Sequence, residues 1–63
     1  MTNSVKEARQ KKELTQVQLA ELVNVSRQTI ISIETNRYIP SVELSLKLAK
    51  ALGKKVEDLF ALD

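Results

Sequence analysis

The sequence predicts an all-α fold, five short helices packed as one domain over residues 1–63. Three observations carry this expectation. Apolar residues recur at helical spacing in each periodic segment. Ser or Thr stands in front of most of these segments, where a helix needs a side-chain acceptor. The joints between segments are as short as those of compact helical domains. Only Val23–Val25 and Thr29–Ile33 could be strands, and both lie inside longer helical patterns.

Taken in order, Ser4 followed three residues later by Glu7 fits a capping box. It predicts a first helix running to about Lys12, with Val5, Ala8 and Arg9 on one face. Thr15 and Gln18 form a second box, opening a helix that turns Leu19, Ala20 and Val23 inward. Ser26 caps a third helix with Ile30 and Ile33 inward. Pro40-Ser41 starts a fourth, because Pro keeps the preceding residue out of the helical region and Ser accepts from the first free amides. Leu44, Leu48, Ala49 and Leu52 form its apolar stripe, and Gly53 stops it. A fifth helix is expected over roughly Val56–Ala61, with Val56, Leu59 and Phe60 apolar.

Composition narrows the function classes. The chain has no cysteine, so neither disulfide nor thiolate chemistry is available. It has no histidine, which removes the commonest general base and metal ligand. Glu57-Asp58 and Lys54-Lys55 read as solvated helix-end charges with nothing to frame a pocket. No enzyme activity, cofactor, metal or small-molecule ligand is therefore expected. No apolar run approaches the roughly 20 residues of a membrane span. The opening residues lack the apolar core of a signal peptide, so a cytoplasmic location is expected. The net charge of +2 permits nucleic-acid binding without arguing for it.

The informative stretch is residues 16–35. Two short helices meet at Asn24-Val25 with almost no slack, and so tight a turn needs a residue at positive φ. Gly supplies that most cheaply and Asn next. Ala20 lies one helical turn earlier, where a crossing helix leaves room only for a small side chain. Val25 and Ile30 plug the angle. Small residue, turn residue, cap and β-branched plug at these intervals are the spacing of a helix-turn-helix. The second helix of the pair, spanning 26–35, turns Arg27, Gln28, Thr29 and Ser32 outward with Ile31 beside them. Arg pairs with guanine O6 and N7, Gln with adenine N6 and N7, Thr and Ser with either, and Ile meets a thymine methyl. None of these residues is acidic.

The runs Leu14-Thr15-Gln16-Val17-Gln18-Leu19-Ala20-Glu21, Val25-Ser26-Arg27-Gln28-Thr29-Ile30, Ile33-Glu34-Thr35-Asn36-Arg37-Tyr38 and Pro40-Ser41 resemble the phage-repressor and Cro-type helix-turn-helix regulators. The likeness covers about Val5 to Phe60. It implies a lambda-repressor-like five-helix domain that binds operator DNA, usually as a dimer. Carried over by position, it implies base reading by Arg27, Gln28 and Ser32, and base or phosphate contact by Thr29. It further implies phosphate contacts at Gln16, Thr35, Asn36, Arg37 and Tyr38, the first supported by a helix dipole. Arg9 and Glu34 match a partly buried ion pair between the first and third helices.

Three departures from that family's pattern stand out. Glu13, Asn24 and Asn36 occupy positions where glycine is common; Asn suits a left-handed backbone and Glu does not, so the first connection is expected to differ. Lys54-Lys55 replaces the usual cap of the fifth helix. Ile31 is often polar in relatives.

Leu44, Leu46, Phe60 and Leu62 exceed what one small core is expected to hide and suggest a homodimer interface. A two-fold dimer would read the half-sites of a palindromic double-stranded DNA operator about 34–36 Å apart. The expected function is that of a sequence-specific transcriptional regulator, a repressor in the first instance. The competing reading is an antitoxin- or coactivator-like module that binds a protein through helices four and five.

Overall fold

Helices as short as these are marginal alone in water, so their ends and their buried faces must hold them. The computed structural model describes residues 1–62; Asp63, the end of the expected domain, lies outside the described residues. Its helices are α1 (Val5–Lys11), α2 (Gln16–Val23), α3 (Arg27–Glu34), α4 (Val42–Leu52) and α5 (Val56–Leu59), with two-residue strands β1 (Thr2–Asn3) and β2 (Phe60–Ala61).

The starts follow the sequence closely in the middle of the chain. Thr15 Oγ1 accepts from Gln18 N–H at 3.0 Å while Gln18 Oε1 accepts from Thr15 N–H at 2.8 Å. Ser26 and Ser41 each accept from the amide three residues on, at 3.2 and 3.1 Å. The outer helices start differently. Ser4 makes no cap; its hydroxyl donates to Asp58 O at 2.9 Å and its N–H to Leu59 O at 2.8 Å, tying α1 to the end of α5. Asn3 Oδ1 accepts from Val5 N–H in its place. At α5, Lys55 offers no acceptor, and the Asp58 carboxylate instead reaches back to Lys55 N–H at 3.2 Å.

The ends of α1 to α4 share one geometry. Glu13, Asn24, Asn36 and Gly53 have φ of 58°, 60°, 62° and 66°. Each donates its N–H three residues back, and the next residue donates five back, as in Leu14 to Arg9 O, Val25 to Ala20 O, Arg37 to Ser32 O and Lys54 to Ala49 O. These are Schellman closures, which satisfy carbonyls the helix leaves open. The first connection is therefore built as in a glycine-containing chain, contrary to the expectation for Glu13. A Cβ crowds the carbonyl in this conformation, at a cost of about 1–2 kcal/mol.

Val5, Leu19, Ile30, Ile33 and Leu48 have no exposed surface and form the centre of the core, with Leu52 and Leu59 nearly as covered. Burial of each such side chain is worth about 1.5–3 kcal/mol relative to exposure. Both stretches considered as strands belong to the helical pair. The strands that do exist join the two ends of the described chain: Thr2 faces Ala61 and Asn3 faces Phe60 in an antiparallel pair. This pairing shortens α5, which gives up Phe60 and Ala61. Leu44 is a correction as well. It lies one turn before Leu48 on the same inward stripe and is buried in the chain's own core, 8% exposed. Phe60 is half-buried against that core, whereas Leu46 and Leu62 are exposed. Among the described residues no helix is long and apolar enough to cross a membrane.

Candidate nucleic-acid interface

The bend between α2 and α3 is set by Asn24, and the small Ala20 beneath it is 3% exposed. Ile30 and Ile33 anchor the inner face of α3, which leaves its opposite face toward solvent. Arg27 and Gln28 are exposed there; Thr29, Ile31 and Ser32 are half-buried. Ile31 is thus less open than its sequence position suggested. Gln28, Thr29 and Ser32 form one wall of an open groove of about 410 Å³ whose other side includes Tyr38 and Leu44. Thr29 Oγ1 lies 3.0 Å from Ser26 Oγ, so part of its bonding capacity serves the helix start.

Behind this face runs a chain of polar contacts. Arg9 Nε donates to Glu34 Oε2 at 2.7 Å, with the two side chains only 10% and 3% exposed. Arg9 Nη1 donates to Leu14 O at 2.8 Å, fixing the guanidinium against the first connection. Glu34 Oε1 accepts from Gln16 Nε2 at 3.1 Å, and Gln16 Oε1 accepts from Arg27 Nε at 3.3 Å. The carboxylate dictates which way the Gln16 amide faces: nitrogen toward Glu34, oxygen toward Arg27. Arg27 is steered from α2, and its terminal nitrogens have no hydrogen-bond partner among the described residues. Gln16's side chain is thus engaged internally, while its backbone N–H and that of Val17 lie in the first turn of α2, where a helix leaves amides without an internal partner.

The segment after α3 divides its residues between structure and solvent. Thr35 Oγ1 donates to Ile31 O at 2.8 Å, so its proton is used within the helix. Asn36 Oδ1 accepts from Asn3 Nδ2 at 2.8 Å. The N–H groups of Arg37 and Tyr38 both donate to Ser32 O, at 2.8 and 3.2 Å. Their side chains are exposed and, like that of Gln28, have no hydrogen-bond partner among the described residues.

Two features escaped the sequence. Asn3 carried no periodic or motif signal. Ile39 and Val42, 68% and 78% exposed, extend the apolar surface that Leu46 was expected to provide. The spacing of Val42 and Leu46 along one helix face was readable in advance.

The helix-turn-helix family profile matches residues 5–59, all five helices. The chain belongs to the helix-turn-helix family. An HTH-type transcriptional regulator of Methanothermobacter thermautotrophicus is 48% identical over 64 residues, covering 100% of this chain and 93% of that protein. The immunity repressor of Bacillus phage phi105 is 46% identical over 52 residues, 82% of this chain and 36% of the repressor. The crystal structure of the restriction-modification controller protein C.AhdI from Aeromonas hydrophila superposes with a TM-score of 0.82 at 34% identity, over 89% of this chain and 85% of that one. The fold is lambda-repressor-like, and this helix-turn-helix chain is a transcription regulator by family.

Proposed function

We propose that the chain binds a palindromic duplex operator as a homodimer and represses transcription by occupying it. The observation that carries this reading is the outward face of α3. Arg27 is steered by Gln16, Gln28 has no hydrogen-bond partner among the described residues, and both stand beside a loop that offers Arg37 and Tyr38 to solvent. Arg27, Gln28, Ser32 and Thr29 read base edges, with Ile31 beside them to meet a thymine methyl. Arg37, Tyr38, Asn36 and the amides opening α2 grip phosphates and set the register. Thr35 acts by shaping the loop. The phage immunity repressor among its relatives favours repression.

A single α3 contacts few base pairs, so a second copy is needed for a selective site. The exposed residues Ile39, Val42 and Leu46, together with Leu62 beyond β2, are the surface for it. A salt titration of binding to random-sequence duplex tests the reading. Retardation at low salt, with affinity falling steeply as salt rises, is expected from counterion release. Absence of retardation at low salt contradicts it and favours a protein partner at α4 and α5.

A further inference from the structure

The residues before α1 have no part in the reading above, yet they hold the far end of α3. Asn3 Nδ2 donates to Ile33 O at 2.9 Å and to Asn36 Oδ1 at 2.8 Å, while its Oδ1 accepts from Val5 N–H at 3.2 Å. One short amide uses both donor hydrogens and its acceptor. The backbone of the same residue lies in β1 against Phe60. Asn36 takes φ 62° and directly precedes Arg37 and Tyr38. Among the described residues the other hydrogen bonds of this loop run back to its own helix, to Ile31, Ser32 and Ile33. Among the described residues Asn3 supplies its long-range side-chain tie, across 33 residues of sequence. Asp lacks the donors for this arrangement and Ser lacks the reach.

We infer that Asn3 is a positioning residue for duplex binding: its amide fixes Asn36, and through it the place at which Arg37 and Tyr38 meet the phosphate backbone. This rests on the reading that the loop faces DNA. It also links that loop, through the β1–β2 pair, to the end of the chain that carries Leu62.

The test is Asn3→Ser in the 63-residue chain. The serine hydroxyl still accepts from Val5 N–H, adds no charge, and releases Ile33 and Asn36. On a duplex selected by the parent protein, affinity is expected to fall about three- to tenfold, the worth of one hydrogen bond expressed in binding. The salt slope is expected to flatten by about one as a phosphate contact is lost. Hydrogen exchange at the Arg37 and Tyr38 amides should quicken while Leu48 stays protected. A lowered melting temperature with affinity and salt slope unchanged well below it means a merely structural role, and overturns the inference. If Asn3→Ser does not fold, Asn36→Gly decides. It accepts the left-handed backbone and removes the acceptor for Asn3 together with Asn36's own amide donor. Quickened exchange at the Arg37 and Tyr38 amides of the free protein is expected, and unchanged exchange, affinity and slope again overturn the inference. Arg37→Ala separates the two levels. A flattened slope there with none in Asn3→Ser removes only the role of Asn3; no change in either removes the loop from the DNA.

Discussion

α3 and α4 bury similar stripes and display opposite surfaces. Inward, α3 places Ile30 and Ile33 and α4 places Leu44, Leu48, Ala49 and Leu52. Outward, α3 shows Arg27 and Gln28, with Thr29 and Ser32 at its margin, whereas α4 shows Val42 and Leu46 beside a Glu43–Lys47 pair at 3.4 Å. That exposed pair contributes little to stability. Solvent alone does not account for both faces. A polar, acid-free surface steered from behind by an ion pair suits an anionic partner read by hydrogen bonds. An exposed apolar pair one turn apart suits a partner of its own chemistry.

The comparison can be broken most severely from behind α3. Glu34→Ala leaves Arg9 buried without its carboxylate and frees Gln16, and should cost about 3–5 kcal/mol in denaturant unfolding. A loss near zero would mean the pair is not buried in solution. Arg27→Ala or Gln28→Ala should sharpen it. Each is expected to cost about 1–3 kcal/mol of binding and to relax preference at one base position, while unfolding stays as in the parent. Glu13→Gly, remote from both faces, should raise stability by about 1 kcal/mol in the same unfolding assay, by relieving the left-handed backbone. Leu46→Glu carries the smallest folding effect, within about 0.5 kcal/mol. It should nevertheless shift sedimentation toward monomer and weaken binding to a two-half-site duplex; unchanged sedimentation would remove α4 from the interface.

Much of this was legible in the sequence because the signals were local. Thr15 with Gln18, Ser26, Ser41, Asn24 and Gly53 mark boundaries through contacts within a turn, which spacing reveals directly. The inward stripes followed from period alone. What was missed depended on distant residues. Ser4 sits in a capping pattern, but the carbonyls of Asp58 and Leu59 compete for it, and nothing near Ser4 announces them. Phe60 looked helical until the pairing of β1 with β2 claimed it. Glu13 adopts a backbone its own side chain disfavours because the closure of α1 and the packing of Leu14 demand it. At the site, residue types pointed to Arg27 and Gln28, but only geometry reveals that Gln16 faces inward to Glu34 and Arg27.

The central claim is that the outward face of α3 reads a duplex. The most direct measurement is selection of bound duplexes from a random library by the parent and by Gln28→Ala in parallel. A two-fold symmetric site is expected, with half-sites about one helical turn, 10–10.5 base pairs, apart, and with loss of preference at one position in each half when Gln28 is removed. Enrichment of no sequence, or the same preference at every position when Gln28 is removed, would contradict it.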